Sequence, residues 1–175
     1  TSSGATPLRS KEKDFFVDAD IGWVRSLDLN DGLVYDSDEK ITQDALDSSA
    51  CSIMPIDTVC VAMYGGSGTI GKCGLLKKAM ATNQAVCSIV CNKSIILPLF
   101  LLYQLICIKP YWMIFAVGTR KDPNINQEIV MKMPVVIPSL DEQREIADYL
   151  DSKCTAIDTL ISKKQQFIDE LTAYK

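Results

Sequence analysis

The sequence predicts a mixed α/β (α+β) domain over residues 1–138, followed by one long C-terminal helix over residues 139–175 that forms a coiled coil. Three observations carry this reading. Ser139 and Glu142 make an S-x-x-E capping box, and no Gly or Pro follows it, so the helix starts sharply and runs for roughly 50 Å. Short apolar runs bounded by Gly, Pro, Asn and Asp recur through the first 90 residues or so, which is strand spacing. Residues 98–108 form an apolar stretch opened by Pro98, long enough for a buried core helix and too short, with Gln104, Lys109 and Pro110 around it, to span a membrane.

Taken in order, residues 21–25 and 32–35 read as strands around the Asn30-Asp31-Gly32 turn, and residues 42–48 as a short helix capped by Thr42. Residues 58–64, 75–76 and 86–90 are further strands. Residues 118–126 form a polar loop holding Arg120 and Lys121, followed by a short helix or extended run to Lys132. Pro134-Val-Val-Ile-Pro138 reads as a Pro-bounded strand that runs into the terminal helix.

That helix has two different sides. Ile146, Leu150, Ile157, Leu160, Ile161, Phe167, Ile168 and Leu171 line a broad apolar stripe, opposite Glu145, Asp148, Asp151, Asp158, Lys163 and Asp169. Folding back onto its own domain would cover such a stripe. The length, and the presence of Cys154 and Lys164 in the seam, fit contact with another helix better.

Composition narrows the chemistry. The chain has 47% hydrophobic residues, enough for an ordinary core, and no histidine, which removes Ser-His and Cys-His catalysis. Seven cysteines without a C-x-x-C pair, in a chain without histidine, argue against a zinc site and fit a reducing cytoplasm. No signal peptide is apparent, and the absent initiator Met points to a piece of something longer. Net charge is −4, but residues 1–66 hold 5 Lys/Arg against 12 Asp/Glu while residues 67–138 hold 8 against 2. A basic middle third is a candidate phosphate-facing surface.

Residues 63–72 contain G-x-x-x-x-G-K at Gly66, Gly71 and Lys72, and G-x-G-x-x-G at Gly66, Gly68 and Gly71. A P-loop needs a hydroxyl after its Lys, where this chain has Cys73. It also needs a later acid, and no Asp or Glu occurs between Asp57 and Asp122. A P-loop-like nucleotide-binding module is therefore the alternative, and a Gly-rich turn offering Ser67, Thr69, Lys72 and backbone N–H groups to phosphate is preferred. The same turn could also be a hairpin without a ligand.

In chain order, Gly4-Ala-Thr-Pro7, Gly22-Trp-Val-Arg-Ser-Leu-Asp-Leu29, Lys40-Ile-Thr-Gln-Asp-Ala-Leu46, Gly68-Thr-Ile-Gly-Lys72, Thr82-Asn-Gln84, Gly118-Thr119, Ile125-Asn126 and Ile137-Pro-Ser-Leu-Asp-Glu-Gln-Arg-Glu-Ile146 resemble the specificity subunit of type I restriction-modification systems. The resemblance implies a non-catalytic target recognition domain that reads one half of a bipartite double-stranded DNA site. It also implies a conserved helix that pairs with a second domain–helix unit, or with a second copy, and holds the methyltransferase subunits and through them the restriction subunit. No cofactor, metal or membrane is implied. Arg25, Ser67, Thr69, Lys72, Lys77, Lys78, Arg120 and Lys121 are the expected DNA contacts, Lys77 and Lys78 as phosphate ligands, and the apolar stripe of the helix is the expected interface.

Overall fold

A computed structural model describes residues 1–65, 68–116 and 124–174. In chain order the described elements are β1 (Ser2–Ser3), α1 (Glu12–Phe15), β2 (Ile21–Val24), β3 (Gly32–Val34), β4 (Lys40–Ile41), α2 (Gln43–Asp47), β5 (Ile53–Met54), β6 (Val59–Ala62), β7 (Cys73–Leu76), β8 (Met80–Thr82), β9 (Val86–Ile89), α3 (Pro98–Cys107), α4 (Lys109–Ala116), α5 (Gln127–Lys132) and α6 (Leu140–Ala173). They build a five-stranded sheet, β1-β9-β6-β7-β3, and a four-stranded sheet, β4-β2-β8-β5. β3–β7 and β2–β8 are parallel pairs, while β6–β7 and β6–β9 are antiparallel.

Strand alternation sorts the core into layers. Val59 and Val61 of β6 pack with Leu101, Leu102, Leu105 and Trp112 of α3 and α4, whereas Cys60 and Ala62 turn the other way, toward Val24 and Met80. On the far side of the four-stranded sheet, Trp23 and Ala81 meet Phe15 and Ala45 of α1 and α2. The order is helices, sheet, sheet, helices. Because β6 and β7 are buried along their whole length, they read as continuous apolar runs, not alternating ones.

Several expectations hold in detail. Thr42 caps α2, its side chain accepting from the Ala45 N–H, and Asn126 caps α5 in the same way, so the run to Lys132 is helical. The Ser139–Glu142 capping box opens a helix of 34 residues. Its two hydrogen bonds to Ser139 hold the Glu142 carboxyl below its usual range.

Other expectations are corrected. Residues 21–24 and 32–34 are strands but not a hairpin: β2 lies in the four-stranded sheet and β3 in the five-stranded one. Between them the chain makes a 3-10 turn at Ser26–Asp28 and takes Asp31 to a φ of 60°. Residues 134–138 pair with no strand, since two prolines remove N–H groups. Gln104 supplies the missing partner, donating to the Val136 carbonyl at 2.7 Å and accepting from its N–H at 2.8 Å. α4 follows α3 across a 59° bend, and neither helix, nor any other single described helix, is long and apolar enough to cross a membrane.

Among the described glycines, Gly4 makes the closest backbone approach. A Cβ there would lie 1.7 Å from the Thr82 carbonyl oxygen, so β1 can pass β8 only with glycine at this position. All seven cysteines are free thiols; Cys60, Cys73 and Cys87 are buried in the five-stranded sheet and Cys51 is buried beside α1 and α2, burial pushes Cys60 up to about 12, and Cys107 and Cys154 are exposed.

Candidate nucleic-acid interface

The glycine segment is the connection of a β-hairpin. It links β6 to β7, with the Ala62 N–H bonded to the Lys72 carbonyl at 2.8 Å and the Gly71 N–H to the Ala62 carbonyl at 2.9 Å. A P-loop or dinucleotide loop leads into a helix whose N-terminus faces the phosphates. Here the next element is a strand, which corrects the nucleotide-binding alternative. Cys73 is buried, and its thiol is pushed far up by burial and by the nearby Asp31 carboxylate.

Within the loop, Thr69 is an internal brace. Its side chain is buried and its hydroxyl donates to the Gly65 carbonyl at 3.3 Å. Gly71, at a φ of 75°, lies against the Trp112 ring, so α4 packs directly beneath the loop. Lys72 is half-buried, with no carboxylate at ion-pair distance among the described residues. Ser67 lies outside the described residues, as do Arg120 and Lys121. Both flanks of the latter pair reach the hairpin: α4 ends at Ala116, one turn beyond Trp112, and the Ile125 N–H donates to the Met63 carbonyl at 3.0 Å.

The other cations are engaged. Lys77 and Lys93 both reach Asp57, at 3.7 and 2.7 Å, and Lys78 and Lys40 reach Asp36, at 3.8 and 3.1 Å. The Lys93 hydrogen bond holds the Asp57 carboxyl below its usual range, and Lys40 does the same for Asp36. Lys109 pairs with Asp31 at 2.5 Å. The acidic first third of the chain thus folds onto the basic middle third, and the described lysines do not make one uncompensated cationic face. Arg25 is held by Glu39 at 2.5 Å, with Asp28 and Asp38 at 3.7 and 3.8 Å, and its side chain is only 22% exposed. The structure therefore separates the eight candidate contacts: Lys72 stays at the hairpin, while Arg25, Lys77 and Lys78 sit in ion-pair clusters.

α6 meets the domain only at its base. Gln143 and Ala147 are buried, Leu150 is half-buried, and Tyr103 of α3 donates to Asp151 at 3.2 Å. A cleft of about 410 Å³ lies beside this contact, lined by Leu33, Leu75, Lys77, Lys93, Arg144 and Asp148 among others. From Ser152 to Tyr174 every residue is exposed, including Ile157, Leu160, Ile161, Phe167, Ile168 and Leu171; Ile146 is exposed nearer the base. The stripe has no cover within the described chain. Sequence reasoning missed the structural weight of Gln143, although it lies in the most specific motif, because a buried glutamine and a surface one look alike in sequence.

The sequence matches the type I restriction modification DNA specificity domain family over residues 2–170, which takes in both the domain and most of the rod. Three solved structures share the fold. One, from work on complex assembly and conformational transition of the type I R-M system, superposes with a TM-score of 0.68 at 17% identity, covering 91% of this chain and 36% of that one. The HsdS subunit from Thermoanaerobacter tengcongensis gives 0.55 at 18% identity, covering 90% and 35%. The S subunit of the type I system from M. genitalium gives 0.61 at 16% identity, covering 92% and 38%. This chain thus spans little more than a third of each of those chains. With the family match running from β1 to the far part of α6, the chain belongs to the type I restriction modification DNA specificity domain family.

Proposed function

We propose that this chain is a target recognition unit: it reads one half of a bipartite double-stranded DNA site and directs the methyltransferase and restriction subunits of a type I complex, while performing no chemistry itself. The observation that carries the reading is the family match across domain and rod together. Two physical features support it. The β6–β7 hairpin with Lys72 lies beside both flanks of the segment bearing Arg120 and Lys121, so Ser67, Lys72, Arg120 and Lys121 are the proposed DNA-facing set. The rod carries an uncovered apolar stripe suited to a second domain–helix unit, to a second copy and to the methyltransferase. Thr69 and Arg25 act as braces behind this surface.

Exchanging residues 1–138 for the matching domain of another family member, within a complex holding methyltransferase subunits, is expected to change the methylated sequence at one half-site. The methylation rate should stay within about threefold, because the reacting groups belong to other subunits. Sequencing of methylated positions checks this, and an unchanged target would overturn the reading.

The contact set makes a separate prediction. Combined Lys72→Ala, Arg120→Ala and Lys121→Ala should weaken binding to all duplexes by about ten- to a hundredfold at low salt. Lys77→Ala with Lys78→Ala should weaken it by less than about threefold, since each lies in an ion-pair cluster around a carboxylate, Asp57 or Asp36, that it shares with a second lysine. Fluorescence anisotropy with a labelled duplex gives both Kd values, and the opposite ranking would move the interface to the ion-pair clusters.

A further inference from the structure

The direction of the rod rests on one carboxamide. Gln143, the fourth residue of α6, is fully buried and directs its hydrogen bonds to backbone outside its own helix. Its Oε1 accepts from the Leu97 N–H at 2.8 Å, and its Nε2 donates to the Ile95 and Pro138 carbonyls, each at 2.9 Å. Both N–H groups of the amide are used. The segment entering α3 and the segment entering α6 are therefore tied to the same side chain.

Gln104 grips the second of these segments from α3 through its two bonds to Val136. Ala147, buried and small, lets α6 lie close to α3, and the Tyr103–Asp151 bond closes the contact. A leucine in place of Gln143 would fill the space at lower desolvation cost but leave three part-buried backbone groups without the partner they have now. What the glutamine adds is direction: three bonds with strict angular preferences admit one orientation of the helix.

We propose that Gln143 and Gln104 are positioning residues that fix the angle between rod and domain, and through it the number of base pairs separating the two half-sites. The second half of this statement rests on the reading of the chain as a half-site reader. A lever argument supports it. The rod continues about 30 Å past its last anchor, so a 10° swing at the base moves its far end about 5 Å, more than one base-pair step of about 3.4 Å. A loose base could not hold a fixed spacing.

Two measurements test this. In the complex assembled through the rod, where the stripe is covered, nitroxides attached through ketone side chains at Ser52 and Asp158 report the rod–domain distance by pulsed dipolar spectroscopy. The distribution is expected to be narrow in the parent and to widen about twofold in Gln143→Leu and in Gln104→Ala. Gln104 is half-buried, so its variant keeps the test should Gln143→Leu not fold. In the assembled complex, duplexes with the spacer changed by one base pair should bind about tenfold more weakly to the parent, and less than about threefold more weakly to the variants, with single half-site binding unaltered. Narrow distributions in both variants would overturn the clamp. Widened distributions with unchanged spacing discrimination would overturn its role in register. A parent complex with no bipartite target would overturn the half-site reading, and with it the register role, while the dipolar distances would still decide whether the two glutamines clamp the rod.

Discussion

Gly71→Ala is expected to destabilise the domain by about 2–4 kcal/mol, lowering its thermal midpoint by roughly 5–12 °C. Two costs combine. The residue sits at a φ of 75°, where a side chain is strained, and the added Cβ would lie 2.3 Å from Trp112 Cδ1 and 2.9 Å from Cγ. Trp112 is fully buried and packs in the cluster formed by α3, α4 and the five-stranded sheet, so the ring cannot step aside without disturbing that core. Its Nε1 is also buried, with no hydrogen-bond partner among the described residues, so a displaced ring gains nothing there. Gly68→Ala is the control: the φ is 78°, but no described residue lies within 4 Å of the added carbon, so only the backbone cost of about 1 kcal/mol applies. Denaturant titration of both variants separates the two costs, and equal losses would show that the contact with Trp112 contributes nothing.

Glutamates at both Ile157 and Ile161 should abolish assembly through the rod while leaving the domain's stability within about 0.5 kcal/mol of the parent. The side chains are 55% and 60% exposed, so replacing them removes little packing from the isolated chain. In a helix–helix contact the same positions would be covered. Losing two buried isoleucines at about 2 kcal/mol each, with charges forced into the seam, weakens association by about a thousandfold or more. Sedimentation velocity, with the chain alone and with methyltransferase subunits, reads the result. Unchanged assembly in both would show that the stripe is not the interface.

The parts of the fold legible in the sequence are those set by local physics. α6 is visible because a capping box and an unbroken helical run need no tertiary context, and Thr42 announces α2 for the same reason. β6 and β9 stand out as apolar runs. What is not legible depends on distant partners. β1, β4 and β5 have two residues each and exist only through their neighbours, and nothing near β2 or β3 says that they belong to different sheets. Residues 134–138 have strand composition, but Val136 bonds Gln104 of α3 and the Pro138 carbonyl accepts from Gln143 of α6. The glycine motif is ambiguous until the following element proves to be a strand. In the candidate site, the segregation of charge along the chain is plain, whereas the pairing of Asp31 with Lys109, or of Asp57 with Lys77 and Lys93, is a product of folding.

The uncovered length of α6 also has a consequence for when the rod exists as a rod. Beyond Ser152 its local support is thin: a Gln165–Asp169 hydrogen bond at 2.8 Å, and the hydroxyls of Thr159 and Thr172 bonded back to carbonyls one turn earlier, which does little for a helix. A segment of this length without cover lies close to helix–coil balance in water. Covering its apolar stripe tips that balance, so ordering of the far helix and association with a partner form a single equilibrium. On the proposed pairing, the ordering cost is subtracted from the affinity and the arm stiffens as it associates.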